Sequence, residues 1–369
     1  VTWAPDAGVE YWLFYAATSS ISTKDLSKIP SHVDVINVTS PYVVSGLTNG
    51  VTYSFTLDGR TGGGPGGTGT PSVAAVPRLA GSTWNALAAG ALGSGDMRAL
   101  AFGTACDASL RYVAVGSAGA LYQGTDGVTW TAVGGTRGDL NAAMFSLSKY
   151  VVAGAGGSIL YSTDLSTWTA ATSNTSNRIN ALASNGVTAV AVGDAGTILT
   201  SGDGITWSAA TSVASSANLY GVTYSGAGKW LAVGAAGTLL TSTDALTWTA
   251  VASGTSADLH GVAVMVSALS STFTYTYSYA VVGDAGTVLN SSDAATWSAQ
   301  SLGASALQAV VAQTGQFVTV GAGGVAYTSA DGASWISQRT GASADLLGLL
   351  YAQGQYLAIG KGGAGSYSR

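Results

Sequence analysis

The stretch AVAVGDAGTILTSGDGITW, residues 189–207, decides the fold. An apolar run closes on Gly193, Asp194-Ala195-Gly196 turns the chain, a second apolar run follows, and Asp203 stands four positions before Trp207. The pattern recurs at Trp130, Trp168, Trp207, Trp248, Trp297 and Trp335, each preceded four positions earlier by Asp126, Asp164, Asp203, Asp244, Asp293 or Asp331. Successive Trp residues are 38, 39, 41, 49 and 38 positions apart. A period near 40 with four short apolar runs per copy is the signature of a β-propeller blade. In the third copy the runs at 180–184, 188–192, 197–201 and 206–210 read as strands, separated by Asn185-Gly186, Gly193-Asp194-Ala195-Gly196 and Asp203-Gly204. No long stretch carries a helical period.

A last copy starts at Leu346 and carries Gly360 and Gly363, but the chain ends at Arg369 before its Trp. Ala80-Gly81-Ser82-Thr83-Trp84 supplies the missing piece at the front. The expectation is a seven-bladed β-propeller over residues 79–369, closed by residues 80–88 acting as the outer strand of the last blade. That arrangement removes the open sheet edge.

Ser201-Gly202-Asp203-Gly204-Ile205-Thr206-Trp207 and Ser329-Ala330-Asp331-Gly332-Ala333-Ser334-Trp335 resemble the Asp-box (BNR) repeat, with one residue fewer between Asp and Trp. That family is known from sialidases, sortilin-type receptors and the propeller that assists photosystem II assembly. The resemblance implies a structural role for the six repeated Asp residues: a short acceptor bracing a turn while the Trp packs between blades. Ala80 occupies the seventh Asp position, so the split turn lacks that brace.

Residues 1–78 do not share the repeat. Thr2-Trp3-Ala4-Pro5, Tyr11-Trp12-Leu13-Phe14-Tyr15 and the run 46–55 look like the second, third and sixth strands of a fibronectin type III domain, with Tyr53 at the tyrosine-corner position. Residues 62–69 read as a loop before the last strand, and Val76-Pro77-Arg78 as the join to the ring. Only two residues precede Trp3, so the expected sandwich lacks its first strand, to be supplied upstream or by another molecule.

Only 8% of residues are charged, Gly numbers 52, and the net charge is −5. A surface dominated by Ser and Thr suits a secreted or cell-surface protein, and the acidic balance excludes a nucleic-acid partner, which needs basic patches. No apolar run is long enough to span a membrane as a helix. The single Cys106 excludes an internal disulfide framework. Glu10 is the only Glu, outside the ring; resemblance to sialidases would imply a Glu-activated Tyr, an acidic Asp and three Arg residues, an assembly that residues 80–369 cannot build. His32 and His260 are isolated and no calcium-loop spacing occurs, so no metal or cofactor is expected. The non-repeat acids Asp96, Asp107, Asp139, Asp194, Asp258, Asp284 and Asp345 read chiefly as turn formers, leaving a two-Asp glycosidase open in principle.

Two places vary while the frame repeats. Near the start of each first strand stand Arg98, Asn141, Asn180, Tyr220, His260, Gln308 and Leu347; the chain direction puts them on one face with Ser117, Asp194, Asp284 and Lys361. They are either solvated channel-mouth residues or a shallow binding site. On the opposite face the fifth copy is longer by about ten residues, and Phe273, Tyr275, Tyr277 and Tyr279 alternate there with Ser and Thr. Such a stripe suits contact with a protein or a sugar ring. The favoured function is a non-catalytic extracellular scaffold or adhesion protein, as a subunit of a surface layer or filament, with a protein partner or self-association. The alternative is a glycan-binding or glycan-cleaving propeller using the channel-mouth face.

Overall fold

The computed structural model describes residues 1–24, 26–40, 42, 44, 47, 51–62, 64, 66–67, 69–75, 80–135, 137–269 and 274–369. Phe273, the join 76–78, Gly46, Thr48, Asn49 and Gly50 lie outside the described residues, as do Gly63, Pro65 and Thr68 of the loop expected at 62–69. The chain divides into two compact units, Val1–Leu79 and Ala80–Arg369.

Among its described residues the first unit holds one four-stranded antiparallel sheet in the spatial order Val33–Val38, Glu10–Ala16, Tyr53–Arg60, Val73–Ala75. The strand read at 46–55 is centred further along because Asp58-Gly59, which has turn chemistry, is held in the sheet: Asp58 is buried beside Arg60, whose guanidinium lies 3.6 Å over the Trp12 ring. Thr2–Pro5 forms no strand of the sheet. Val1 instead exchanges reciprocal bonds of 2.9 Å with Tyr42, and the Trp3 N–H donates to the Ser40 hydroxyl at 3.0 Å. Leu13, Val38 and Leu57 pack on one side of the sheet with Trp3 and Tyr42, and Phe14, Ala16 and Ile21 on the other with Leu26 and Ile29.

Among the described residues the second unit holds seven sheets, and strand succeeds strand outward from the centre. The third comprises Ile179–Ser184, Ala189–Gly193, Ile198–Ser201 and Ser208–Ala209, each within two residues of its expected start. Innermost strands pack in cyclic order, Leu346–Ala352 returning against Met97–Thr104. The last sheet is Leu346–Ala352, Gln355–Gly360, Gly365–Ser368 and then Asn85–Ala86, with Tyr367 opposite Asn85 and Ser366 opposite Ala86. This is an all-β propeller fold. The fourth sheet has a fifth strand: Ser212–Val213 pairs parallel to the outer strand Thr247–Ala250.

Second strands such as Ala189–Gly193 and Gln355–Gly360 are buried along their whole length. Both faces of each sheet meet a neighbouring sheet, so the apolar run need not alternate with polar residues. Trp207 closes one such interface, packed with Val151 and Ile159 of the second sheet and Leu199 of its own.

The six repeated Asp residues brace turns. Asp203 Oδ1 accepts the N–H groups of Ile205 and Thr206 at 2.8 Å, and Asp126, Asp164, Asp244, Asp293 and Asp331 repeat the pattern. In five of the six a Ser two positions earlier completes the turn: the Ser201 hydroxyl donates to Asp203 and accepts the N–H of Gly204. Gly124 stands at that position in the first sheet. The indole N–H of Trp168, Trp207, Trp248 and Trp335 then donates to the carbonyl three residues before it.

Candidate functional site: the channel mouth

Each innermost strand begins with a buried apolar residue, Met97, Leu140, Ile179, Leu219, Leu259, Leu307 or Leu346, that anchors it between sheets. The next residue is thereby turned toward the axis. Arg98, Asn141, Asn180, Tyr220, His260, Gln308 and Leu347 accordingly line one central cavity of about 720 Å³, with Asp194 at its edge. One position deeper the lining is small: Ala99, Ala142, Ala181, Gly221, Gly261, Ala309 and Gly348. The space is needed, since a Cβ on Gly348 would lie 2.7 Å from the Arg98 carbonyl oxygen and one on Gly221 2.9 Å from that of His260.

Four of the mouth's polar side chains, Arg98, Asn141, Asn180 and His260, are tied to neighbours. Arg98 donates to Asp139 Oδ2 at 2.9 Å and to Asn141 Oδ1 at 2.7 Å, and Asn141 donates onward to the Ile179 carbonyl at 3.2 Å. Asn180 reaches Asp194 Oδ1 at 2.8 Å and the Leu219 carbonyl at 2.9 Å. His260 Nε2 lies 2.8 Å from Asp284 Oδ1, and its ring centre 5.5 Å from that of Tyr220. Asp284 and Lys361 sit on the encircling turns and do not line the cavity. Lys361 is paired with Asp345 at 2.6 Å.

Charge is held in place by these partners. The Ala118 N–H, and then Arg98, keep the Asp139 carboxyl below its ordinary value; Lys361, and then the Gly323 N–H, do so for Asp345. Asp345 in turn raises Lys361. Among the described residues no three His, Cys, Asp or Glu side chains converge.

A second role of the acids was not visible as turn chemistry alone. Asp139, one position before its strand, accepts the N–H of Ala118 in the previous sheet's turn at 2.8 Å. Asn218 takes Ala195, Asp258 takes Ala236, Asp345 takes Gly323 and Asp96 takes Gly362 in the same way. Five of the seven junctions are therefore stapled from sheet to sheet around the mouth. The signal was available: Asp or Asn recurs immediately before the first apolar residue of the strand. Arg178 and Ala306 stand at that position in the third and sixth sheets. Arg178 and Asn218 also line the cavity and were not singled out from the sequence; Arg178 is 59% exposed and 3.9 Å from Asp194.

The Tyr stripe is not one uniform surface. Tyr279 is 2% exposed and packs with Leu231, Val281 and Trp297, so it belongs to the core between the fourth and fifth sheets. Tyr277 is half-buried against the same cluster, and Tyr275 is 60% exposed.

No protein-family profile matches the chain, and no curated protein matches it. Solved structures do. "YCF48 bound to D1 peptide" superposes with a TM-score of 0.61 at 17% identity, over 80% of this chain and 99% of that one. YCF48 from Cyanidioschyzon merolae gives 0.58 at 17%, over 78% and 99%. The WD40 β-propeller domain of Doa1 gives 0.61 at 11%, over 78% and 97%. At these identities the likeness is one of fold, the β-propeller.

Proposed function

We propose that this protein is a non-catalytic scaffold, secreted or held at a cell surface, whose channel mouth binds a segment of a protein partner. Its ring reads as a seven-bladed Asp-box propeller, on seven cyclically packed sheets and the repeated Ser–Asp turn brackets. Its first unit reads as fibronectin type III-like: the order Val33–Val38, Glu10–Ala16, Tyr53–Arg60, Val73–Ala75 is that of the GFC sheet of a sandwich with C′ added. The boundary expected near residue 78 fits the division after Leu79.

The observation that carries the binding role is the mutual pairing of the mouth side chains. Groups fixed by Arg98–Asp139, Asn180–Asp194 and His260–Asp284 lose little freedom when a ligand docks, which is preorganisation for recognition. The same pairing disfavours catalysis. A glycosidase acid needs a carboxyl whose value is raised, whereas Asp139 and Asp345, which stand just before the strands that carry the mouth residues, are held low. A neighbouring fold whose structure is described as bound to a peptide supports a peptide as the class of ligand.

Selection of a random linear-peptide display library on the immobilised protein tests the reading. Enriched peptides should lose binding to the Arg178→Ala and Tyr220→Ala variants. Peptides indifferent to both changes, or turnover of fluorogenic glycosides by the pure protein, would overturn it.

A further inference from the structure

The fifth sheet departs from its six companions at the end opposite the mouth. Its first two strands, Leu259–Leu269 and Thr274–Gly283, have 11 and 10 residues. In the third sheet, for comparison, the corresponding strands have 6 and 5 residues. The third strand, Thr287–Ser291, pairs only with residues 279–282. Residues 274–278 therefore run on alone, bonded on one side to 265–269 and, among the described residues, paired with no strand on the other. Five residues at about 3.4 Å each leave roughly 17 Å of open edge.

Natural sheet edges are guarded by Lys, Pro, inward charges or bulges. This one has none: no Asp, Glu, Lys, Arg or Pro occurs from Gly261 to Gly283. The register in this hairpin is regular from Gly261 onward, and the Thr276 hydroxyl pins it by donating to the Ser267 carbonyl at 3.3 Å.

The edge is also nearly self-complementary. Read outward from Thr276, Tyr275 mirrors Tyr277, and Thr274 mirrors Ser278. We infer that this edge pairs antiparallel with the same edge of a second copy of the chain, about a two-fold axis at Thr276. Tyr275 of each copy then stands opposite Tyr277 of the other, the kind of cross-strand aromatic pair that stabilises a sheet, and no charge is buried. Tyr277 is already held against its own core, while the exposed Tyr275 gains a neighbour. The contact lies away from the mouth, so it holds or fails independently of peptide binding there.

Sedimentation velocity of the whole chain should show a dimer whose fraction rises with concentration. Thr276→Lys sets two ammonium groups against each other at the axis and should weaken association by more than about tenfold, with the thermal midpoint unchanged. In a Cys106→Ser background, Thr276→Cys should yield a disulfide-linked dimer on mild oxidation, since residues directly opposed across antiparallel strands have Cα atoms about 4.5–5.5 Å apart. A wild-type chain that stays monomeric at all concentrations, a dimer indifferent to Thr276→Lys, or an introduced thiol that fails to cross-link each overturns the proposal.

Discussion

The Ser368 hydroxyl accepts the Gly81 N–H at 2.7 Å, joining residues separated by 287 positions. In the unbroken turns the same bond runs from Leu165, Gly204, Ala245, Ala294 or Gly332 to the Ser three residues before it. Ser368 and Gly81 are thus two halves of one motif, contributed by the two ends of the ring. Trp84 completes it by donating its indole N–H to the Gly81 carbonyl at 2.8 Å, as its counterparts do within a single segment.

Closure therefore rests on a few residues. Trp84 is buried beside Tyr356, and Trp84→Ala should cost about 3–5 kcal/mol by opening a cavity at the joint. Ser368→Ala, which strands the Gly81 N–H, should cost about 1–3 kcal/mol. Urea denaturation monitored by fluorescence measures both, and an unchanged midpoint for Trp84→Ala would mean that the ring is not held at this seam.

The turns above the mouth carry backbone strain that substitution can relieve. Ala195, Ala236 and Ala285 occupy the left-handed region at φ of 54°, 50° and 52°. Gly156, Gly323 and Gly362 take the equivalent position in other sheets with nothing near their missing Cβ. A left-handed Ala costs roughly 1–2 kcal/mol, partly offset by the greater unfolded-state freedom of Gly. Each Ala→Gly change should raise stability by about 0.5 kcal/mol, and the triple variant should show a clearly higher denaturation midpoint. A lower midpoint would show that these turns are not strained.

The ring was legible because each copy repeats the same physical problem: a doubly covered apolar strand, a left-handed turn and an Asp bracket. Even the split sheet could be found, since Ala80 to Trp84 supplies the residues that the last copy lacks. The mouth positions were legible as well, since they follow directly from the anchored residue before them. Pairing was not. That Asp139 reaches back to Ala118 depends on how adjacent sheets stack, which a period along one chain does not encode. The Tyr stripe was legible only in part for a related reason: period two places Tyr275, Tyr277 and Tyr279 on one side, but only the neighbouring sheet decides that Tyr279 becomes core. The strand read at 46–55 is found later, at Tyr53–Arg60, because the Arg60 and Trp12 contacts hold Asp58-Gly59 within the sheet.

Acid should loosen the ring through its turn brackets. The N–H groups of Thr247 and Leu246 draw the Asp244 carboxyl from 3.8 to about 2, and those of Thr296 and Ala295 act alike on Asp293. A folded value below the unfolded one stabilises above the unfolded value, and that contribution is lost as pH falls through the folded one. Stability should be flat near neutrality and fall between about pH 4 and pH 2. Asp244→Asn keeps an acceptor but cannot titrate, so its acid slope should be shallower than the parent's. Equal slopes in urea titrations across that window would place the acid-sensitive groups elsewhere.

The two junctions without a sheet-to-sheet staple offer a gain-of-stability test. Ala306 stands where Asp139, Asn218, Asp258 and Asp345 accept an N–H from the preceding turn, and the matching donor would be Ala285. Ala306→Asp should supply the missing acceptor and raise stability by about 0.5–1.5 kcal/mol, the usual net contribution of one such bond. Asp258→Ala should lower it by a comparable amount, since the Ala236 N–H then loses its partner. The two changes lie at adjacent junctions of the fifth sheet, and their effects should nearly cancel in the double variant if each staple acts on its own interface. A destabilised Ala306→Asp protein would show that position 306 cannot adopt the geometry of its counterparts, and that the staple belongs to only five of the seven junctions by structural necessity.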